Sequence, residues 1–214
     1  LAGGSQNFSG INPKFATDKS RTNTSLYVDT ELDITKNFFV TSALRSEYYS
    51  DFGLAIGGKF AARYTISDKF AIRGAVNTGF RAPSLPQLFF GSVLNDVVTN
   101  QNTGVSNFIE NLITPNKATL TKDIGIPQLG PEIATNFSLG FSFQPTDNFS
   151  FTIDGYSANA NGRIILTGDF QASDPKFKKI FTDPNVQSAR FFANAIDTRS
   201  NGFDVMATYT KEIG

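Results

Sequence analysis

The sequence contains no cysteine, no histidine and no tryptophan, and its single methionine is Met206. It therefore forms no disulfide and lacks the usual nitrogen and sulfur ligands of a zinc site. Because 19 basic residues balance 19 acidic ones, the charge gives no attraction toward nucleic acid. No stretch approaches the roughly 20 apolar residues of a membrane helix, so the sequence excludes a helical membrane span.

Alternation of apolar and polar residues is the most informative pattern, in a chain that contains 22 phenylalanines. In segments 26–34, 38–48, 54–66 and 70–80 the apolar residues occupy even positions, with Thr30, Ser42 and Ser46 as polar exceptions. In segments 136–144, 149–154 and 203–210 they occupy odd positions. This periodicity predicts about seven strands with one apolar and one polar face. Several are as long as the ~9 to 11 residues of a tilted strand that crosses a bilayer.

The connections between these strands fall into two classes. Tight turns are predicted at 35–37, 67–69 and 145–148, and following the strands in order places all three on the same side. Long polar or irregular stretches at 82–134 and 163–188 lie on the other side, with one short connection at 50–53. Short turns at one rim and long loops at the other are typical of outer-membrane barrels, whose short turns are periplasmic.

We therefore predict that residues 1–214 belong to one β-barrel domain. Residues 1–23 form an outer loop, 24–81 four strands, 82–134 a long extracellular loop, 135–162 two strands, 163–188 an extracellular loop and 189–211 a long strand. The alternation weakens between 155 and 165, where a bulge or an early departure from the membrane fits the pattern. The chain starts at Leu1 without a signal peptide and stops just after a strand, so we expect both ends to be cut.

Five sequence strings resemble those of one protein family. The string G-F-R-A-P-S-L at 79–85 closely resembles a segment in the barrels of TonB-dependent outer-membrane receptors. The others are R-S-E-Y-Y-S-D-F-G at 45–53, L-G-P-E at 129–132, D-G-Y at 154–156 with R-I at 163–164, and N-G-F-D-V at 201–205. They follow the family order and span most of residues 24–210. One departure is Gly130, where the family usually has lysine before Pro131 and Glu132.

The resemblance implies an all-β, antiparallel, up-and-down transmembrane barrel. This chain would supply about seven of roughly 22 strands, without the plug domain, and alone it would form an open curved sheet. The implied function is TonB-dependent uptake of a scarce nutrient, such as a ferric siderophore, a corrinoid or a glycan. The implied partners are outer-membrane lipid, the plug domain of the same parent chain, the TonB complex acting through that plug, and a small nutrient ligand. The implied location is the outer membrane of a Gram-negative bacterium.

Two groups of candidate site residues follow. The charged residues of the polar face are expected to face the lumen or the plug, where charges stay hydrated or paired: Arg45, Glu47, Lys59, Arg63, Arg73, Arg81, Asp154 and Asp204. The expected substrate contacts are Phe89, Phe90 and Asn95 in the long loop. We predict no cofactor, metal site or catalytic residue, since histidine is absent and no serine has a nucleophile-elbow pattern.

Two alternatives remain open at this stage. The first is a passive pore or an adhesive barrel that needs no energy-coupling partner. The second is a soluble β-sandwich that binds sugar or protein through its loops, because sandwich strands alternate in the same way. The sandwich predicts that Phe60, Phe141 and Val205 pack against a second sheet.

Overall fold

The computed structural model describes residues 13–99, 104–177, 181 and 183–211. Within them lie a short 3-10 helix, Pro13–Phe15, and two helices, α1 (Leu85–Phe89) and α2 (Thr119–Asp123). Neither helix is long or apolar enough to cross a membrane. The strands in the same residues are β1 (Asn23–Thr35), β2 (Phe38–Tyr49), β3 (Gly53–Ser67), β4 (Phe70–Arg81), β5 (Ser92–Thr99), β6 (Ser106–Ile113), β7 (Glu132–Thr146), β8 (Phe149–Leu166), β9 (Phe170–Gln171), β10 (Val186–Arg190) and β11 (Phe192–Tyr209).

Contacts divide the chain into two compact units, which we call the sheet unit and the small unit. The sheet unit comprises residues 22–81, 131–163 and 197–214, and the small unit comprises residues 1–21, 82–130 and 164–196. Each has a sheet of its own. The larger sheet has seven strands in the order β1-β2-β3-β4-β7-β8-β11. Because β1 and β11 end this order, the sheet is open, and the predicted seven-stranded partial barrel is confirmed.

The register of the sheet unit aligns the apolar residues of neighbouring strands in shared rows. Phe60 lies opposite Val76, and Val76 lies opposite Phe137, so the apolar face changes from even to odd numbers at β7. Thr30 and Ser42, two of the three polar exceptions, lie opposite each other, and their hydroxyl oxygens are 2.7 Å apart, whereas Ser46 lies opposite Leu26. The predicted parity is therefore confirmed, and two of its exceptions form a hydrogen bond with each other.

Strand irregularities occur at particular places. The register shifts at 33–35, 65–67 and 143–146, each beside one of the predicted tight turns. In the weak stretch after Gly155, pairing of β8 with β7 continues without a shift as far as Asn161. Gly162 then adopts φ 63°, and its N–H donates to Asp197 Oδ1 at 2.7 Å. The strand therefore stays in the sheet through most of the stretch that the sequence marks as irregular.

The small unit is built mostly from residues that the sequence predicts to be connections, together with the start of the long strand predicted at 189–211. Its four-stranded sheet has the order β5-β6-β10-β9, and β6 and β10 are parallel. Its core is a cluster of buried apolar residues: Val93, Leu112, Val186, Ala189 and Phe191. Segments 82–134 and 163–188 thus contain folded structure, because with Ala189 and Phe191 they supply enough apolar side chains to enclose a core. The strand of the larger sheet begins only at Phe192.

Asn116 joins segments of the small unit through hydrogen bonds of its side chain. Its buried side-chain amide donates to Pro127 O and Phe192 O, and its Oδ1 accepts from Leu129 N at 3.0 Å. Beside it, Leu88, Leu129 and Ile164 form a second buried cluster. A buried amide with all these bonds made stabilises one arrangement of the chain, because any other arrangement leaves polar groups unpaired.

Candidate functional site: the polar face of the seven-stranded sheet

Cross-strand pairing assigns the eight predicted lumen-facing residues to one face of the sheet. Arg63 lies opposite Arg73, and Arg73 lies opposite Gly140, which in turn faces Asp154 on β8. On β11, Gly202 lies beneath Tyr156, which is on the same face as Asp154 because the two are two residues apart on β8. Asp204 is two residues after Gly202 and therefore lies on that face too. The opposite face carries the apolar rows. The polar face is therefore a continuous surface from β2 to β11.

An ion pair crosses three strands at the centre of this face. Arg73 on β4 donates from Nε to Asp154 Oδ1 on β8 at 2.8 Å, and from its Nη2 to Oδ2. The intervening β7 residue is Gly140, and a Cβ there would overlap the Asp154 carboxyl group. Because glycine has no side chain, it leaves the space in which the Arg73 guanidinium and the Asp154 carboxylate meet.

A second ion pair joins two of the sequence strings. Arg81, in the G-F-R-A-P-S-L string at the end of β4, donates from Nε to Glu132 Oε2 at 3.0 Å and from its second guanidinium nitrogen to Oε1. Glu132 belongs to the L-G-P-E string that begins β7. From the sequence, Glu132 is recognisable only as part of that motif. Its position directly opposite Arg81 in the register identifies it as a member of the polar face.

The third cluster surrounds Glu47, which is only 2% exposed although it lies on an open sheet. Arg45 forms an ion pair with its carboxylate, Asn23 donates to Oε2 at 2.5 Å, and the Tyr49 hydroxyl donates to the same oxygen. The Tyr49 ring stacks on Phe52 at a centroid distance of 4.5 Å. Asn23 and Tyr49 were not predicted as site residues; the R-S-E-Y-Y string was the signal that contained Tyr49.

Three of the eight predicted residues differ from the paired ones. In the part of the chain that the structure describes, Lys59, Arg63 and Asp204 have no ion-pair partner. Arg63 borders a cavity of about 260 Å³ whose floor consists of small side chains, among them Ala61, Ala75 and Ser138. The face therefore combines paired charges, which are fixed in place, with charges that form no ion pair among the described residues, and one of the latter, Arg63, borders open space.

Glycines of two sequence strings meet aromatic side chains between β8 and β11. A Cβ at Gly202 would lie 2.5 Å from the Tyr156 hydroxyl oxygen, and a Cβ at Gly155 would lie 3.1 Å from the Phe203 ring. Tyr156 thus covers Gly202 on the polar face, and Phe203 covers Gly155 on the apolar face. This reciprocal packing gives the D-G-Y and N-G-F strings a shared role, since it fixes the register of two glycine-interrupted strands.

The three predicted substrate contacts all lie in the small unit. Phe89 ends α1, is half-buried and packs against the Leu88 cluster. Phe90 is 46% exposed, and Asn95 lies on β5 with a buried Oδ1 that has no hydrogen-bond partner among the described residues. The structure therefore gives Phe90 access to solvent, while Phe89 and Asn95 are partly covered.

A polar network in the small unit was not predicted. Arg190 donates to Asp169 from Nε at 2.6 Å and from Nη2 at 2.9 Å, and the buried Ser188 hydroxyl lies 3.1 Å from the same carboxylate. The hydrogen bonds from Arg190 lower the pKa of Asp169, partial burial opposes the shift, and Ser188 adds to it. Asp169 is therefore held in its charged form.

The charged side chains of the polar face form pairs that hold strands in position. Within residues 13–99, 104–177, 181 and 183–211 no group of three or more His, Cys, Asp or Glu side chains is arranged to hold a metal ion. Arg73–Asp154 and Arg81–Glu132 are bidentate pairs between strands, the arrangement in which guanidinium and carboxylate groups fix relative position best. These two pairs fix β4 relative to β7 and β8.

Similarity to solved structures supports the same architecture. The siderophore receptor PirA from Pseudomonas aeruginosa matches with a TM-score of 0.61 and 17% identity over 86% of this chain and 30% of that one. The ferric enterobactin receptor PfeA of the same organism, in complex with BCV-L6, gives 0.64 and 13% identity over 95% and 26%. The FrpB iron transporter from Neisseria meningitidis gives 0.52 and 14% over 89% and 24%.

At these identities the similarity shows the fold alone. The chain spans between 24% and 30% of the length of these three proteins, which are described as receptors or a transporter. No curated protein sequence matches it. The family model described as "TonB dependent receptor-like, beta-barrel" matches residues 2–210, nearly the whole sequence. The chain belongs to the TonB-dependent receptor-like β-barrel family.

Proposed function

We propose that this chain is part of the barrel of an outer-membrane receptor in a Gram-negative bacterium. The receptor takes up a scarce nutrient with energy from the TonB complex, which acts through a plug domain of the same parent chain. The family match over residues 2–210 carries the proposal. Among a ferric siderophore, a corrinoid and a glycan, the first is favoured by the similarity to PirA, PfeA and FrpB, which are a siderophore receptor, a ferric enterobactin receptor and an iron transporter.

Exposure of the apolar face supports a membrane position. Phe60 and Val205 are 51% and 63% exposed, although both belong to continuous apolar rows. In water, an apolar face of this extent is unfavourable, whereas hydrocarbon removes that cost. The soluble sandwich predicts instead that such residues pack against a second sheet, so their exposure favours the membrane barrel.

In this proposal the polar face lines the lumen and contacts the plug. The paired residues are Arg45, Glu47, Arg73, Arg81 and Asp154, and the remaining ones are Lys59, Arg63 and Asp204. The bidentate pairs Arg73–Asp154 and Arg81–Glu132 keep the wall rigid because they join separate strands, whereas Arg45 pairs with the buried Glu47 carboxylate of its own strand. The free cations are available to an acidic group of whatever fills the lumen. Phe89, Phe90 and Asn95 are proposed to contact the substrate.

Nutrient uptake tests the proposed function directly. A strain that lacks the gene should lose energised accumulation of at least one scarce nutrient, for which ferric chelates are the first to assay. Dissipating the proton-motive force should abolish the same accumulation in the parent strain. The rival passive pore predicts that accumulation persists after the force is dissipated. If deletion changes the uptake of no ferric chelate, corrinoid or glycan, the proposed function is wrong.

Charge insertion tests the membrane position separately. Phe60→Arg, in the middle of β3, should destabilise the full-length protein in lipid by about 2 to 4 kcal/mol, the cost of a cation on the lipid face of a barrel. The control is Ala61→Arg, on the polar face of the same strand and beside the cavity, which has room for the side chain. Urea unfolding in lipid vesicles measures both. Equal costs for the two variants would contradict a lipid-facing Phe60.

A further inference from the structure

Two lysine side chains converge on one aromatic ring in the small unit. Lys19 Nζ lies over the Phe89 ring at 5.8 Å from its centroid, and Lys117 Nζ lies over the same ring at 5.6 Å. The negative face of an aromatic ring attracts cations at this range. Because both distances are measured to one ring centroid, the two Nζ atoms lie no more than about 11 Å apart (5.8 Å plus 5.6 Å). We call the three residues the lysine clamp.

Hydrogen bonds attach the backbone segments that carry the two lysines of the lysine clamp to the region of α1. The backbone N–H of Lys117 donates to Leu88 O at 3.3 Å, and Leu88 is among the most buried residues of the small unit. Arg21, two residues after Lys19, donates from Nη1 to Pro83 O at 2.7 Å, just before α1. The first turn of α1 is closed by a capping box between Ser84 and Gln87. The clamp is thus largely formed before any ligand arrives.

The charges of the lysine clamp are not neutralised by the chain around them. Both lysines are exposed, and neither forms an ion pair within the residues that the structure describes. Asp18 is adjacent to Lys19 in sequence but forms no ion pair with it there. An ammonium group is a compact charge that accepts an anion from many directions. A ligand whose negative oxygens span a comparable distance can engage both nitrogens at once.

We propose that Lys19, Phe89 and Lys117 form a binding site for a multiply charged anion, such as a chelate or small molecule rich in phenolate, carboxylate or phosphate oxygens. The inference rests on the proposed function for the role of that anion as the nutrient taken up. Lys19 and Lys117 contact the ligand through their charges, and Phe89, besides the substrate contact proposed above, directs the two lysines. Neutral glycans and other uncharged nutrients gain nothing from two cations, so the site favours the anionic class.

The test compares matched lysine variants of the full-length receptor in detergent. The variants are Lys19→Gln, Lys117→Gln and their double, and the control is Lys36→Gln, an exposed lysine in the tight turn between β1 and β2. The probes are the strongly anionic tris-catecholate complex of Fe³⁺, pyrophosphate, and a neutral maltooligosaccharide. We expect each single variant to weaken binding of the anionic probes by roughly three- to fivefold, as for exposed charge pairs. The double variant should weaken it further and flatten its salt dependence.

Two further variants test the roles of the lysine charge and of the aromatic ring. Lys117→Arg should restore the affinity, because it keeps the charge, whereas Phe89→Leu should lower it, because the ring no longer directs the lysines. Circular dichroism and heat-modified gel mobility identify any variant that fails to fold, and in that case Lys117→Arg against Lys117→Met supplies the comparison. Unchanged affinity in the double variant, an equal loss for the neutral probe, or no binding of either anion by the unmodified receptor overturns the inference.

The outcome is distinguishable from failure of the proposed function. If deletion of the gene abolishes energised uptake of a nutrient but the lysine variants bind anions normally, the lysine clamp is wrong and the receptor assignment stands. If deletion changes no uptake while the purified protein still binds anions through these lysines, the receptor assignment is wrong and the site stands.

Discussion

The two units of this chain place the same side chain in opposite surroundings. Phe203, on the apolar face of the sheet unit, is 81% exposed, whereas Phe191, in the core of the small unit, is fully buried. The small unit encloses its apolar residues with its own chain, as proteins in water do. The sheet unit presents them outward in rows. The comparison teaches that the two units expose and bury apolar side chains in opposite ways, and that of the two only the small unit encloses such side chains with its own chain.

Truncation of the buried phenylalanine should give the largest contrast between the units. Phe191→Ala removes a ring that packs against Phe170 at 5.4 Å between centroids and should destabilise the small unit by about 3 to 5 kcal/mol. Hydrogen exchange of the full-length protein measures this as lost protection of β6 and β10. The matched Phe203→Ala should leave the same amides protected. Equal loss of protection in the two variants would break the comparison.

Glycine substitution tests how the sheet unit holds together without an enclosed core. In Gly140→Ala the new methyl group would meet the Asp154 carboxyl group and lie 2.5 Å from Ile153 O, a backbone atom that cannot turn aside. We expect a loss of about 1 to 3 kcal/mol, the usual cost of overpacking, together with a broken Arg73–Asp154 pair. Urea unfolding in lipid vesicles measures the stability.

Gly79→Ala is the control for this substitution, because Gly79 lies in β4 of the same sheet and a Cβ there has no atom within 4 Å. It should be neutral or slightly stabilising, since alanine suits a strand better than glycine. If both alanine variants lose similar stability, close contact at Gly140 is not the cause. The sheet would then depend on glycine for flexibility and not for space.

The sequence predicted the sheet unit far better than the small unit. Local alternation predicted 54–66 and 70–80, and the structure has β3 at Gly53–Ser67 and β4 at Phe70–Arg81. The signal ended early in β8, because Gly155 leaves a gap that Phe203 of the neighbouring strand fills. The small unit was missed because β5, β6 and β10 are short, and the parallel pairing of Ser188 with Asn111 joins residues far apart in sequence.

The candidate site was predictable as a face but not as a set of partners. Period-two alternation is enough to assign Arg73 and Asp154 to one side of their strands. Their contact depends on the order β4-β7-β8 and on the gap at Gly140, and neither follows from the pattern of either strand alone. Lys19 and Lys117 meet over Phe89 for a similar reason, since distant segments must fold together before the two charges become neighbours.

Acid should affect the small unit through Asp169. Its folded pKa is lowered by Arg190, so the stability it contributes is fully present above the unfolded value of about 3.9 and is lost as the pH falls through the folded value below it. Because the Arg190 side chain is 43% exposed, solvent screening limits the effect to about 1 kcal/mol or less. Hydrogen exchange of β10 at several pH values measures it.

Asp169→Asn provides the control for the acid effect. The variant should lower protection of β10 at neutral pH and remove the part of its pH dependence that lies below about pH 4. Protection in β3 of the sheet unit should be the same with and without the substitution at each pH. If Asp169→Asn retains the full acid dependence, another carboxylate is responsible, and the two units do not differ in the way proposed.

The smallest effect concerns the hydroxyl pair on the apolar face. Thr30 Oγ1 and Ser42 Oγ are 2.7 Å apart, and they interrupt otherwise apolar rows. If that face contacts lipid, no water is available to hydrogen-bond to either hydroxyl group. A double-mutant cycle of Thr30→Val and Ser42→Ala should then give a coupling free energy of about 0.6 kcal/mol, as for hydrogen bonds within membranes. Urea unfolding in lipid vesicles measures the coupling, and the same cycle in the water-exposed pair Thr99 and Ser106, 2.8 Å apart in the small unit, should give less. A larger coupling at Thr99 and Ser106 would mean that the apolar face of the sheet unit is wet, because only water can replace a lost hydroxyl partner at so little cost.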